Sequence, residues 1–125
     1  MSTPAQPDDH TVDVASVASR FIQCRVPTEL YEWMRRQGFL TRRSMNSIAL
    51  AGVTAYRAEV EAGRIAPARG APERGEVVTY NVRVGDDLHA WLRTTAFDAR
   101  TSINVLVVAA LTRAHAVQPE REGAP

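Results

Sequence analysis

The chain has no lysine and only one cysteine. A single cysteine, Cys24, excludes an intrachain disulfide and leaves a cysteine-based zinc site without ligands. Cys24 alternates with Ile22 and Val26, so it reads as a small buried residue; a reactive thiol is the alternative. His10, His89 and His115 are scattered without metal-ligand spacing, and no metal or cofactor is expected. No apolar run approaches the ~18 residues that would cross a bilayer. Met1 to His10 lack the basic region and apolar stretch of a secretory signal. These absences point to a cytoplasmic chain, nucleoid-associated if it binds DNA, with no membrane partner. No nucleophile–base pair, metal cluster or glycine-rich phosphate loop is present, so an enzyme is not expected.

What is there is ordinary in amount and unusual in arrangement. The 125 residues, 45% hydrophobic and 23% charged, suffice for one compact domain or two very small ones. The net charge of +1 offers little to a polyanion, but all 15 basic residues are arginine and they are unevenly placed. Residues 1–19 carry Asp8, Asp9 and Asp13; residues 20–74 carry ten arginines against five acids; residues 76–125 carry five against six. Any basic footprint therefore lies in the first half. Codon bias accounts for arginine in place of lysine, not for the asymmetry.

An internal repeat organises the chain. A shift of 58 residues lays Phe21–Ala58 over Thr79–Ala116 without a gap, with 12 identities in 38 positions. They include the only two tryptophans, Trp33 and Trp91, and the pairs Arg25/Arg83, Phe39/Phe97, Arg42/Arg100, Ser44/Ser102 and Asn46/Asn104.

Each repeat reads as strand, helix, helix. Phe21–Val26 and Thr79–Val84 alternate apolar and polar residues at period two, and Pro27 and Gly85 end them. Thr28 and Asp86 are candidate N-caps of the first helices. Leu30, Trp33 and Met34 share one face, as do Leu88, Trp91 and Leu92, and Gly38 is a stop signal. Ser44 and Ser102 are N-caps of the second helices. Their apolar faces are Met45, Ile48, Ala49, Val53, Tyr56 and Val60, and Ile103, Leu106, Val107, Ala110, Leu111 and Ala114. The expected organisation is a disordered N-terminal tail (1–19), repeat one (20–62), a Gly/Pro/Ala/Arg linker (63–76), repeat two (77–117) and a disordered C-terminal tail (118–125).

A strand with two helices buries too little to stand alone. Two such units solve this together if their strands pair antiparallel over four helices. The fold expected is mainly α with a short antiparallel β-ribbon, the two β-α-α units forming an intrachain pseudo-dimer. The linker, at ~3.3–3.6 Å per residue, spans several tens of ångströms, and tethering holds the halves at millimolar effective concentration. Pairing of like repeats between two chains is the rival arrangement, and further self-association on DNA is compatible with both.

Alternation then turns Ile22, Cys24, Val26, Tyr80, Val82 and Val84 inward and Phe21, Gln23, Arg25, Thr79, Asn81 and Arg83 outward. The outward set suits base edges: arginine pairs with guanine, glutamine and asparagine with adenine, and a two-stranded ribbon fits the major groove. Polar residues facing water are the plainer reading; matching Gln-x-Arg and Asn-x-Arg on related strands favour readout. At the start of each second helix, free backbone N–H groups stand beside a hydroxyl, with Arg42, Arg43 and Arg100 nearby. Such a terminus caps itself and can also hold a phosphate.

These residues resemble the ribbon-helix-helix superfamily of the Arc and MetJ type. Gln23-Cys24-Arg25-Val26-Pro27-Thr28-Glu29-Leu30 and Arg43-Ser44-Met45-Asn46-Ser47 carry the resemblance. Asn81-Val82-Arg83-Val84 and Thr101-Ser102-Ile103-Asn104 repeat it at the same interval, so about 76 of 125 residues are covered. The resemblance implies base contacts at Phe21, Gln23, Arg25, Thr79, Asn81 and Arg83. It implies a phosphate-anchoring turn at Ser44, Met45 and Asn46 and at Ser102, Ile103 and Asn104. Gly85 replaces the family's strand-ending proline, Thr101 replaces an arginine, and Ile48 and Gly52 cannot form the buried charge network of some relatives.

The expected function is sequence-specific binding of double-stranded DNA as a transcriptional repressor. The alternatives are a plasmid partition or conjugation accessory protein, an antitoxin, or a protein-interaction module. An antitoxin is disfavoured by a short tail after Ala116 with few apolar anchors.

Overall fold

The strands cannot be understood apart from the helices beneath them, because a lone two-stranded ribbon is marginal in water. In the computed structural model, which describes residues 19–70 and 75–117, the order is β1 (Ser19–Pro27), α1 (Thr28–Thr41), α2 (Met45–Glu61), β2 (Val77–Gly85), α3 (Asp86–Ala99) and α4 (Ile103–Val117). The expected tails, and residues 71–74 of the expected linker, lie outside the described residues.

β1 and β2 pair antiparallel within the one chain, with Gln23 opposite Asn81, Phe21 opposite Arg83 and Arg25 opposite Thr79. Gln23 and Asn81 are repeat equivalents, so the ribbon is centred on the pseudo-two-fold relating the halves. The strands extend beyond the expected limits, to Pro27↔Val77 and Ser19↔Gly85. Pro27 sits at the final pair, and Thr28 N–H continues the ladder by donating to Glu76 O at 3.2 Å.

The period-two alternation holds. Cys24, Val26 and Val82 are fully buried, with Ile22 and Val84 nearly so, while Tyr80 is half-buried. Beneath them lies one shared core: Met34 from α1, Ala49 and Val53 from α2, Leu92 from α3, Leu106 and Leu111 from α4. Each such leucine or methionine contributes about 1.5–3 kcal/mol on burial. α2 packs on α4, and α4 also packs under β1 while α2 packs under β2. Each second helix therefore supports the strand of the other repeat as well as its own core.

Three local expectations are corrected. Thr28 and Asp86 are not N-caps: each strand runs directly into its helix, Pro27 and Gly85 take the cap positions, and no side chain caps either end. Asp86 and Asp87 lie instead in the first turn of α3, where their charge meets the helix dipole. Gly38 does not stop α1, which continues to Thr41 and ends on Arg42 in the left-handed region (φ 59°, ψ 41°). A Cβ at Gly38 would stand 2.8 Å from Arg43 O, so the glycine permits a close approach of backbone. α3 ends in the same way on Arg100 (φ 56°, ψ 49°), at the repeat-equivalent position.

The expected free linker is partly docked. Ile65 packs against the core, and Ala68 N–H donates to the Tyr56 hydroxyl at 2.7 Å. No described helix is long and apolar enough to cross a membrane.

Candidate nucleic-acid interface

The outward ribbon face carries the six residues that alternation assigned to it. Phe21 (70% exposed), Gln23, Arg25, Thr79, Asn81 and Arg83 are all exposed. The Arg83 guanidinium lies over the Phe21 ring, 5.9 Å from its centroid, within cation–π range. The two residues face one another across the ribbon, so Phe21 supports the arginine opposite it.

The ribbon is fixed from below by a device that the sequence reading missed. Asn46, in the first turn of α2, accepts from Arg83 N–H at 2.7 Å and donates to Arg83 O at 3.0 Å. Asn104, its equivalent on α4, accepts from Arg25 N–H at 2.6 Å and donates to Arg25 O at 3.4 Å. Each asparagine thus clasps the backbone of the outward arginine on the other repeat's strand. Their side chains are spent on this clasp; their backbone N–H groups, the groups expected to face phosphate, remain at the helix N-terminus. The sequence signal was the identical Asn46/Asn104 pair.

Ser44 and Ser102 cap as expected: Ser44 Oγ accepts from Ser47 N–H at 3.0 Å and Ser102 Oγ from Val105 N–H at 3.1 Å. Met45 and Ile103 are half-buried, with partial packing on the core, so any anion contact from them is through backbone. Arg42, Arg43 and Arg100 are exposed beside these termini, and Arg43 also donates to Ser47 O at 3.3 Å. The left-handed backbone of Arg42 and Arg100 costs about 1–2 kcal/mol each. It turns the chain sharply enough to place both helix starts under the ribbon's ends.

The arginines divide into two groups. Arg20 pairs with Asp86 at 2.8 Å, Arg57 with Asp87 at 2.9 Å and Glu61 at 3.1 Å, and Arg64 with Glu59 at 3.0 Å. No carboxylate among the described residues pairs with Arg25, Arg42, Arg43, Arg83 or Arg100. The ribbon and the two turns therefore present uncompensated positive charge. Cys24 is enclosed under the ribbon, and burial pushes its thiol up to about 11, which fits the inert reading. Among the described residues, no group of histidine, cysteine and acid residues could hold a metal ion.

Comparison of the chain with protein-family models, curated proteins and solved structures returned no significant match. The functional reading accordingly rests on geometry and chemistry.

Proposed function

We propose that this chain is a sequence-specific double-stranded DNA-binding protein, two tandem ribbon-helix-helix units folded as an intrachain pseudo-dimer, acting as a transcriptional repressor. The observation that carries the reading is the register with Gln23 opposite Asn81, which aligns Arg25 and Arg83 on one exposed face. Gln23, Arg25, Asn81 and Arg83 are the side chains whose donors and acceptors complement adenine and guanine in the major groove. The asparagine clasps hold them on a rigid platform, which favours specificity over loose attraction. The starts of α2 and α4, with Arg42, Arg43 and Arg100, supply phosphate anchors at either end, and these position the ribbon without reading sequence.

The two halves are not identical. One strand offers Phe-Gln-Arg and the other Thr-Asn-Arg, so the site bound has unequal halves. Phe39 and Phe97, 82% and 83% exposed, occupy equivalent positions near the anchoring turns, where a neighbouring copy on adjacent DNA can meet them.

Fluorescence anisotropy with labelled duplex tests the reading. Binding should weaken linearly in log–log form with salt, by about 0.9 per phosphate neutralised. Absence of binding to duplex pools at low salt, or binding indifferent to salt, would remove the DNA reading in favour of a protein-interaction module.

A further inference from the structure

The outward face of the ribbon is pseudo-symmetric about the pair Gln23↔Asn81, so Phe21↔Arg83 on one side corresponds to Thr79↔Arg25 on the other. An aromatic ring faces one groove-facing arginine, and a threonine faces its counterpart. Phe21 adds nothing to the core: it is 70% exposed and stands outside the cluster packed beneath the ribbon. Its ring instead meets the Arg83 guanidinium, 5.9 Å from the centroid.

An exposed contact of this kind favours the held conformer about two- to fivefold. It uses the face of the ring and no hydrogen bond, so all five guanidinium donors stay free for a base edge. Arg25 has no such ring across from it. It keeps its rotamer freedom until it binds and loses that freedom on contact with DNA. A loosely held arginine can also swing from a mismatched base to a phosphate, a contact that carries no sequence information.

The backbone clasps point the same way. Asn46 holds both polar groups of Arg83, at 2.7 and 3.0 Å. Asn104 holds the Arg25 N–H at 2.6 Å, but its donor stands 3.4 Å from Arg25 O, beyond the ordinary hydrogen-bond range. Arg83 is thus held at main chain and side chain, and Arg25 by one good main-chain bond.

We propose that Phe21 is a positioning residue for Arg83, and that the half of the DNA site read by Arg83 is the more stringent. Guanine is then discriminated more sharply there than opposite Arg25. The inference rests on the DNA reading and deepens it, assigning Phe21 to orient a base-reading side chain.

The test uses the full chain and the duplex it selects from a random pool. Arg25→Ala and Arg83→Ala assign the two halves, and the guanine contacted in each is then replaced. The loss of affinity should be about two- to fivefold greater in the Arg83 half. Phe21→Thr should equalise the halves, and Thr79→Phe should sharpen discrimination in the Arg25 half by a similar factor. Phe21→Tyr keeps the ring and should behave as the unmodified chain. Phe21→Leu keeps apolar bulk without a π face and should behave as Phe21→Thr. A second arm needs no DNA: ¹⁵N relaxation of the arginine Nε–Hε groups, assigned with the same alanine variants. Arg83 should be more ordered than Arg25 and lose that order in Phe21→Thr. Equal discrimination in the two halves, a Phe21→Leu chain that discriminates like the unmodified one, or an Arg83 no more ordered than Arg25 each overturns the inference while DNA binding stands. Failure to bind any duplex removes the DNA reading and this inference with it, and the relaxation arm then reports the ring contact alone.

Discussion

Replacing Asn46 by alanine asks whether the ribbon is held by the clasp or merely rests on the helices. The side chain contributes two hydrogen bonds to Arg83, at 2.7 and 3.0 Å. Each such bond contributes about 0.5–1.5 kcal/mol net, so the pair is worth about 1–3. Asn46 is half-buried and Arg83 exposed, so water replaces part of the loss, and we expect a cost near 1.5 kcal/mol. Alanine is the better helix former, and its propensity in α2 works against this cost. Any destabilisation therefore reports the clasp and not the helix. At Asn104 the donor arm is 3.4 Å, beyond the ordinary range of ~2.7–3.2 Å. Asn104→Ala should accordingly cost about 1 kcal/mol, one good bond. Urea unfolding measures both, and the melting temperature of Asn46→Ala should fall by about 6–12 °C. Asn46→Asp keeps the acceptor and loses the donor, so it should recover about half the loss. A cost below about 0.5 kcal/mol for Asn46→Ala, within the range of neutral surface changes, would refute the clasp as a structural element.

Further outcomes follow from the same structure. Arg25→Ala and Arg83→Ala should each weaken specific DNA binding by about 1–3 kcal/mol, the value of one bidentate base contact, with folding midpoints unchanged; competition gel shifts measure this. Gly38→Ala should destabilise by about 1–3 kcal/mol through overpacking, because its Cβ would meet Arg43 O at 2.8 Å; thermal unfolding reads the loss. Cys24 should resist a thiol reagent at pH 8 until the chain unfolds. Burial raises its thiol from 9.0 to about 11, so the folded state holds the proton more tightly than the unfolded chain. Its contribution to stability is complete below about pH 9 and is lost as pH rises toward about 11.

Much of the architecture could be read from the chain before any coordinates. The 58-residue repeat, the period-two strands and the serine caps each have a local physical cause that sequence displays directly. Pairing of β1 with β2 followed from the inability of either unit to bury its strand alone. What escaped reading depends on contacts that no local sequence pattern displays. Gly38 looks like a helix stop because glycine disfavours helices, yet the nearby Arg43 carbonyl needs the space a Cβ would fill. Asn46 looks like part of an anion-binding turn because its partner, Arg83, lies 37 residues away. Its equivalent Asn104 reaches Arg25 across 79. The docking of Ile65 and Ala68 was hidden for the same reason, since a Gly/Pro/Ala segment carries no periodic signal. The outward residues were legible because alternation alone fixes their side of the ribbon.

Selection of bound sequences from a random duplex pool, run in parallel with the unmodified chain, Arg25→Ala and Arg83→Ala, tests the central claim most directly. The account predicts a single imperfectly palindromic consensus with unequal halves, in which each variant relaxes preference in a different half. A perfectly symmetric consensus, or preferences that neither substitution alters, would contradict it.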